Sequence, residues 1–498
     1  MSLIPLSSSP APGGPSRLTP EIAALTTGAA VVRPPIRLVH LGLGAFHRSH
    51  QLWHTAVADT ENDWGYAAYT GRRPNAASDV AAQGCLYTVT VRTAEEDRTA
   101  LIGSLVEAHD GTDIESLARH VSDPAVAVIT LTITEAGYHL DATGGLDEED
   151  PIIVGDRDAL SGAADAEAVP PLKSAVGRLV FALERRRIAG AGPVTVLPCD
   201  NMPANGAVVR TVVHALASSV SSALVDWITS EVSFVSSVVD RITPATTPAD
   251  VHELAARIGV VDQGMVVTEA FSEWVVSGDF PAGRPPWERS GVRFVPDIAP
   301  YERRKLWMLN GAHTLLATMA RPLGHATVAE AVADPRVRRW LEDYWDSVQT
   351  VLVDPELDLT AYRRSLVERF ANPRIAHHLD QIAAETTTKI RYRIVPVLVA
   401  EREAGRMPEA CVRTVAAWVK AMREGRRDTD AQNARIDEVL AGPVDRVVPG
   451  LLSLLDGRLS ADRALRERVE AADIHTLDTH ALLQLAGERS ATRKGSSR

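Results

Sequence analysis

The chain has 498 residues, of which 45% are hydrophobic and 23% are charged, and its formal net charge is −12. This length predicts two domains, and the composition is that of a folded globular protein. The acidic balance argues against an extended basic surface, so nucleic acid is not an expected partner. The longest apolar runs fall far short of the ~20 residues that span a bilayer, so no membrane segment is expected.

The three cysteines, Cys85, Cys199 and Cys411, are widely spaced along the chain. They predict neither a disulfide framework nor a thiolate zinc site, and they fit a reducing, cytoplasmic environment. Residues 1–35 are expected to form an N-terminal extension. The beginning of that extension lacks the basic start and apolar core of a signal peptide.

The first predicted element is a strand over residues 36–41, an apolar run with β-branched residues that a glycine turn follows at once. A helix over residues 45–60 comes next. Further strands are predicted over residues 65–70, 86–92, 125–134 and 194–198. Strands that alternate with helices are typical of a doubly wound α/β domain. We therefore expect residues 36–290 to form a Rossmann-type, dinucleotide-binding domain.

Helical periodicity dominates after a segment rich in glycine and proline over residues 277–286. It predicts helices over residues 312–317, 335–352, 361–370 and 408–423. We therefore expect residues 291–498 to form a mainly α-helical domain that supplies groups for substrate binding and catalysis.

Gly42 and Gly44 form a G-x-G motif directly after the first predicted strand. The first glycine permits a tight turn, and the second lets the backbone approach a pyrophosphate. Ala45 and Phe46 open the following helix, whose free N–H groups favour an anion. These four residues are therefore candidates for cofactor binding. His47 occupies the third glycine position of the usual motif, so a tight turn without a ligand remains an alternative.

The second predicted strand ends in Thr70-Gly71-Arg72-Arg73 rather than in the acidic residue that binds the ribose of NAD. Arg72 is a further candidate for cofactor binding, and the arginine pair is suited to the 2′-phosphate of NADP. A solvated loop is the alternative. We expect NAD as the cofactor, with NADP possible, and these residues leave the choice between the two open.

His47, His50 and His54 are spaced at i, i+3 and i+7, a spacing that is compatible with a metal site. No carboxylate or thiolate joins them at a useful spacing, and the helix is already assigned to the phosphate. We therefore predict no metal site.

Residues 301–313 carry the densest set of polar candidates. On an α-helix at ~100° per residue, Glu302, Lys305, Leu309 and His313 form one stripe, with Asn310 on its flank. A partly desolvated lysine between arginines is expected to have a lowered pKa, which suits a general base. The alternative is an ordinary amphipathic helix with surface charges.

Several ordered motifs together resemble the mannitol dehydrogenase family of long-chain polyol dehydrogenases. These motifs are the K-x4-N-x2-H pattern that begins at Lys305, GLGAFHRSH over 42–50, TITEAGY over 132–138, DNMPANG over 200–206, VDRITP over 239–244, Asn372-Pro373 and Thr388-Lys389. The resemblance implies an NAD(P)-dependent enzyme that uses no metal and interconverts a polyol, or a related sugar acid, with its keto form. Its partner would be a small sugar alcohol or ketose, and family members are often monomers.

The resemblance also implies catalytic roles. Lys305 matches the general base, and Asn201 and Asn310 match the pair that hydrogen-bonds the developing alkoxide. His313 matches the histidine that positions the substrate oxygen. Glu302 matches a carboxylate that connects the lysine to solvent.

Asp240 and Lys389 match residues that line the substrate site in the family. Gln381 stands eight residues before Lys389, where mannitol 2-dehydrogenases carry an arginine. Loss of that arginine removes a multidentate donor to sugar hydroxyls, which leaves a uronate reductase of the fructuronate/mannonate type as an alternative. A position that varies without consequence is the other explanation.

Two further alternatives remain. A non-catalytic nucleotide-binding regulator would have lost Lys305, Asn201 or Asn310, and all three are present. A hydroxyacid dehydrogenase of the 6-phosphogluconate type would need an arginine cluster in the second domain. Its candidates are Arg363, Arg364, Arg391 and Arg393, although surface solvation explains most of them.

Overall fold

The computed structural model describes residues 4–5, 15–28, 30–71, 74–163, 169–375 and 377–472. The chain divides into two compact units, Met1–Ala299 and Pro300–Arg498. Within the described residues, we find no helix with both the length and the apolar character that crossing a bilayer requires.

The first unit contains both strands and helices. Its strands are β1 (Ile4–Pro5), β2 (Ser16–Arg17), β3 (Ile36–Leu41), β4 (Gly65–Tyr69), β5 (Tyr87–Arg92), β6 (Asp97–Ile102), β7 (Leu105–His109), β8 (Val128–Leu131), β9 (Val194–Pro198), β10 (Val232–Phe234), β11 (Ser236–Asp240), β12 (Val260–Val261), β13 (Val266–Glu269), β14 (Glu273–Ser277) and β15 (Arg293–Phe294). Its helices are α1 (Pro20–Thr27), α2 (Ala45–Ser49), α3 (Gln51–Ala58), α4 (Asn75–Ala81), α5 (Ile114–Val121), α6 (Pro151–Ala163), α7 (Ala175–Ala189), α8 (Asn205–Ser218), α9 (Ser222–Glu231) and α10 (Pro248–Ile258).

The central sheet has the strand order β10-β9-β8-β3-β4-β7, and its strands pair in parallel. The order reverses at β3, which lies between β4 and β8. In open α/β sheets, ligands bind outside the carboxyl ends of the strands at such a switch point. The predicted Rossmann-type, doubly wound α/β domain is confirmed, and the switch point locates its ligand side.

Both faces of the central sheet are covered, which explains the mostly apolar sequences of its inner strands. On one face, Val39, Ile129 and Val196 belong to a core with residues of α5, α7 and α8. On the other face, Leu38 and Leu197 belong to a core that includes buried tryptophans 274 and 287. Neighbouring residues of a strand therefore serve different cores.

Three smaller sheets were not predicted. The first has the order β1-β6-β5-β13, the second has the order β11-β14-β15, and the third pairs β12 with β2. In the first sheet, Val89 of β5 pairs with Val266 of β13, far away along the chain. The residue pattern of one strand does not indicate which distant strand it pairs with, so such pairings cannot be predicted from local sequence.

The second unit is mainly helical, as predicted. Its helices, the first of which begins at the preceding residue, are α11 (Ala299–Arg304), α12 (Gly311–Met319), α13 (Val328–Ala333), α14 (Pro335–Val351), α15 (Leu359–Phe370), α16 (Leu379–Ala383), α17 (Thr386–Arg393), α18 (Val395–Glu403), α19 (Glu409–Arg423), α20 (Asn433–Leu440), α21 (Val444–Leu455), α22 (Gly457–Ala461) and α23 (Arg463–Ala471). Short 3₁₀ helices lie at Glu135–Tyr138, Trp287–Ser290, Arg321–Leu323 and Pro355–Leu357, and a π-helix covers Lys305–Asn310.

Candidate active site

The glycine turn after β3 lies at the switch point. Gly42 has a φ of +113°, and a Cβ atom at this position would lie 2.1 Å from the carbonyl oxygen of Thr132. The amide of Gly42 donates to the carbonyl of Tyr69, and the hydroxyl of Thr132 donates to the carbonyl of Gly42, both at 2.8 Å. The turn is thus tied to the ends of β4 and β8, and only glycine fits it.

Gly44 has a different reason for lacking a side chain. Its backbone is extended, and a Cβ atom there would meet only the carbonyl oxygen of Gly42, at 3.6 Å. The protein's own packing therefore does not require glycine, whereas close approach of a phosphate does. Ala45 and Phe46 follow as the first residues of α2, and both are half-buried.

Arg72 and Arg73 lie outside the described residues. The role of Arg72 in cofactor binding and the choice between NAD and NADP therefore remain predictions.

The rings of His50 and His54 contact each other, and both contact the ring of Trp274. His47 stacks on His40 with ring centroids 3.3 Å apart. A ring nitrogen of His50 lies 3.2 Å from the carbonyl of Glu273, and the two nitrogens of His54 lie near the hydroxyls of Ser272 and Ser290. The helix thus uses these histidines to pack against the rest of the first unit.

Asp200, at the carboxyl end of β9, is a buried carboxylate to which the sequence analysis gave no role. Its Oδ1 accepts a hydrogen bond of 2.7 Å from the amide of Ile133, and its Oδ2 accepts one from the hydroxyl of Tyr138. Burial raises the pKa of Asp200 to about 7, against the opposing effect of these two donors. Asp200 directly precedes Asn201, so its contacts fix where the Asn201 loop begins.

Asn205 fixes the other end of this loop. Its side-chain amide donates to the carbonyls of Asp200 and Ser237, at 3.1 and 2.9 Å, and its Oδ1 accepts from the amide of Ser237. Between the two anchors, Ala204 has a φ of +48°, a strained conformation for a residue with a Cβ. The same contacts tie the loop to β11, which ends at the buried Asp240. The side chain of Asn201 itself is exposed.

We predict that Asp200→Asn removes a pH dependence from the stability of the first unit. The pKa of Asp200 is about 7 in the fold and about 4 in an unfolded chain, so the folded state binds the extra proton between these values. The contribution of Asp200 is fully present below about pH 4 and is lost as pH rises through about 7, by roughly 4 kcal/mol. Urea unfolding of both proteins from pH 4 to 8 measures this difference. Parallel pH curves for the two proteins would contradict it.

The predicted α-helix over residues 301–313 is interrupted, so the prediction of one regular helix was wrong at its centre. The amide of Gly311 donates to the carbonyl of Leu306, which is an i to i+5 bond of the π type. A regular α-helix would give that amide to the carbonyl of Trp307. π-Turns of this kind occur frequently at functional sites.

Side chains from α14 support the π-turn. The hydroxyl of Tyr344 donates to the carbonyl of Trp307 at 2.8 Å, and the indole of Trp345 donates to the carbonyl of Met308 at 2.9 Å. Gly311 makes this approach possible, because a Cβ atom there would lie 2.0 Å from the Tyr344 hydroxyl. Tyr344 therefore replaces the partner that the Trp307 carbonyl loses.

The π-turn changes which residues share a face. With one additional residue in the turn, i and i+5 become neighbours as i and i+4 are in an α-helix. Asn310 is thus brought over Lys305 in place of Leu309, which is buried. Glu302 precedes Lys305 by three residues, and His313 follows Asn310 by three in the α-helical parts. The four predicted polar residues therefore line one face.

His313 is buried in the second unit. Its ring contacts those of Phe370 and His377, with centroids 4.8 and 4.7 Å away. Burial holds the pKa of His313 well below its usual value, and the nearby His377 and Arg369 lower it further. The imidazole is therefore neutral at physiological pH, with one nitrogen available as a donor and the other as an acceptor.

The predicted substrate residues on the neighbouring helices differ in exposure. Lys389 is half-buried on α17, and its Nζ donates to the carbonyl of Ile382 at 2.8 Å. Burial lowers its pKa, and Arg393 adds to that effect. Gln381 is exposed on α16.

The arginines that would have formed a phosphate cluster have separate partners. Arg363 pairs with Asp346, and Arg391 donates to the carbonyl of Leu454. Arg393 donates to the carbonyl of Asn310 at 3.4 Å and to the hydroxyl of Thr314 at 3.2 Å. Arg364 is exposed. This arrangement argues against a phosphosubstrate site.

Comparison with known proteins covers both units. Residues 36–289 match the mannitol dehydrogenase Rossmann domain, and residues 297–448 match the mannitol dehydrogenase C-terminal domain. The D-mannonate oxidoreductase of Escherichia coli is 35% identical over 413 residues, which is 81% of this chain and 82% of that protein. A mannitol 2-dehydrogenase of Cereibacter sphaeroides is 34% identical over 77% of this chain and 80% of its own length.

A solved structure of similar fold is the ternary complex of Pseudomonas fluorescens mannitol 2-dehydrogenase with NAD and D-mannitol. It superposes with a TM-score of 0.71 and 29% identity, covering 88% of this chain and 94% of that one. The boundary between the two matched domains lies close to the boundary between the two compact units. The chain belongs to the mannitol dehydrogenase family.

Proposed function

We propose that this protein is an NAD-dependent oxidoreductase that interconverts a secondary alcohol of a polyol with the corresponding ketose. The observation that carries the proposal is the polar face of the interrupted helix, on which Glu302, Lys305, Asn310 and His313 follow one another. A purely structural helix has no need of a π-turn that exchanges the apolar Leu309 for Asn310.

The glycine turn fits the cofactor. Gly42 makes the tight turn that only glycine allows, and the open space at Gly44 suits the approach of a pyrophosphate. Bound NAD supplies the hydride acceptor or donor at its nicotinamide ring. The relative with a solved ternary complex contains NAD, which supports NAD over NADP.

Lys305 is the proposed general base. It withdraws the proton from the substrate hydroxyl as the hydride leaves the carbon that bears this hydroxyl. Asn201 and Asn310 are the proposed amide donors to the developing alkoxide, a role that requires groups fixed in advance. The anchored loop before Asn205 and the supported π-turn provide that fixation. His313, neutral because it is buried, is the proposed donor that orients the substrate oxygen, and Glu302 is the proposed link between the lysine and solvent.

A sugar acid is the second candidate substrate. Arg369 and Lys389 lie close enough to His313 to lower its pKa. Basic groups of this kind favour a substrate that carries a carboxylate. Gln381, in place of the arginine of mannitol 2-dehydrogenases, and the similarity to a D-mannonate oxidoreductase also support it.

A substrate panel tests the proposal. Mannitol, arabinitol, sorbitol and mannonate are offered with NAD or NADP, and fructose and fructuronate with the reduced cofactors, while nicotinamide absorbance is followed. Turnover of polyols would support the first candidate, and turnover of the acids alone would support the second. Cofactor binding without turnover of any compound would favour a nucleotide-binding regulator.

We predict that Tyr344→Phe lowers kcat ~10–100-fold, because small displacements of positioned groups are costly in catalysis. The variant removes the donor to the Trp307 carbonyl, so the π-turn loses its support and Asn310 its position over Lys305. KM should change much less than kcat. Tyr392→Phe is the control, since that side chain is exposed on α17. A kcat for Tyr344→Phe equal to that of the control would show that the hydroxyl does not position the site.

A further inference from the structure

The edge of the central sheet carries a second cluster of polar side chains, which the proposed reaction does not use. Glu107 and His109 lie on β7, the last strand on this edge, and His120 lies near the end of α5. Each residue offers one ligand atom, and these atoms all lie within 4.8 Å of one another. This group, defined here as the edge cluster, is the one such set among the described residues.

The Nε2 atoms of His109 and His120 both lie near Oε2 of Glu107. Nε2 of His109 lies 2.8 Å from Oε2 of Glu107, and Nε2 of His120 lies 3.4 Å from that oxygen. Ligands of tetrahedral zinc lie about 2.0–2.2 Å from the ion, which places them roughly 3.3 Å from each other. Small adjustments of the side chains would therefore complete a site with two histidines and one carboxylate.

The Nδ1 atoms of the two histidines each contact a further polar group. Nδ1 of His109 lies 3.2 Å from a carboxylate oxygen of Asp113, and Nδ1 of His120 lies 2.6 Å from the hydroxyl of Tyr69. Histidines that bind metals almost always engage their other nitrogen in this way, which fixes the ring and its tautomer. The edge cluster thus has both a ligand set and the supporting contacts of a metal site.

The hydrogen-bond pattern at His109 provides an independent argument. Its ring lies between the carboxylates of Glu107 and Asp113, and neither carboxylate can donate. A cation bound to Nε2 and to Glu107 would leave Nδ1–H to donate to Asp113, so both carboxylates would have a partner.

We propose that Glu107, His109 and His120 bind a divalent transition-metal ion of the Zn²⁺ class. Imidazole nitrogens select such ions over Mg²⁺ and Ca²⁺, which prefer oxygen ligands. The Glu107 side chain is 42% exposed, so the ion has a route of entry and water can complete its coordination. The ion would join β7 to α5 and, through Tyr69, to β4. The proposal does not depend on the proposed reaction, in which Lys305 acts as the base.

Calorimetric titration tests the proposal on the untagged, full-length chain after removal of metals with a chelator. Zn²⁺ is the probe, and Mg²⁺ and Ca²⁺ serve as comparators. We expect one Zn²⁺ per chain in the wild type and at least tenfold weaker binding in Glu107→Gln and His120→Gln. Asp113→Asn leaves the ligands in place and should weaken binding ~10–100-fold through the support of His109. His252→Gln, an exposed histidine of the first unit, is the control and should bind as the wild type does.

Replacement of zinc by Co²⁺ provides the second readout. The wild type should show the visible absorption of a four-coordinate Co²⁺ ion, and the Glu107 and His120 variants should not. Circular dichroism without metal establishes that each variant is folded. No stoichiometric Zn²⁺ binding by the wild type, or equal binding by all variants, would overturn the proposal.

Discussion

Lys305→Ala should lower kcat/KM by about a factor of a thousand, because a positioned general base contributes ~10²–10⁴ to the rate. Alanine removes the group that accepts the hydroxyl proton and leaves the π-turn intact, since the carbonyl contacts from Tyr344 and Trp345 are to the backbone. Affinity for the cofactor should remain within about twofold of the wild type, because the glycine turn belongs to the first unit. Nicotinamide absorbance measures the rate, and quenching of tryptophan fluorescence measures cofactor binding.

Arg303→Ala provides the matched control for this variant. Arg303 is exposed on the same helix and has no proposed role in the reaction. It should retain nearly all activity. If Lys305→Ala were as active as Arg303→Ala, the assignment of the base would be wrong, and the polar face of this helix would need another explanation.

The second large effect is expected at the glycine turn, where Gly42→Ala should destabilise the first unit and abolish cofactor binding. The new methyl group would lie 2.1 Å from the Thr132 carbonyl oxygen, and the φ of +113° is itself strained for alanine. Such backbone strain costs ~1–3 kcal/mol, and the steric overlap adds to it by forcing the ends of β3 and β8 apart. Thermal unfolding and a cofactor titration measure the two consequences.

Gly44→Ala separates stability from cofactor binding. A methyl group at Gly44 meets only one atom within 4 Å, at 3.6 Å, so the variant should unfold at the wild-type temperature. Its affinity for the cofactor should nevertheless fall at least tenfold, because the methyl group blocks the approach of the pyrophosphate. Wild-type affinity in Gly44→Ala would mean that the turn does not bind the cofactor as proposed.

The sequence predicted the parts of the fold that local patterns record. The buried strands β3, β8 and β9 are mostly apolar runs, and α14 and α19 show clear helical periodicity, so all were recognised. The strand predicted over residues 125–134 is shorter in the structure, at Val128–Leu131. Apolar character continues past the point at which the chain leaves the sheet. The small sheets were missed because their partners, such as β5 and β13, lie far apart in sequence.

The same holds for the candidate site: its residues were identified from local sequence, but their arrangement depends on residues far away in the chain. The candidate residues of the helix at 301–313 were identified, but the predicted stripe contained Leu309 and placed Asn310 on its flank. The π-turn that reverses this depends on Tyr344 and Trp345, more than thirty residues away. Asp200 and Asn205 lay within a motif that resembled the family, which was a signal, although their structural role emerges only from contacts with Ile133 and Ser237.

The edge cluster could not be predicted from spacing. Glu107 and His109 are two residues apart on a strand, and His120 follows on a helix, so no single periodicity connects them. The histidines that did show a regular spacing, His47, His50 and His54, pack against other groups of the first unit.

The central claim is direct hydride transfer from the carbinol carbon of a polyol or sugar acid to NAD. A substrate from the panel that carries deuterium on that carbon, incubated with the chelator-treated protein and NAD, tests it most directly by mass spectrometry of the cofactor. The account predicts reduced nicotinamide that contains the deuterium. Reduced cofactor without deuterium, or no reduction of NAD or NADP by any compound of the panel, would contradict it.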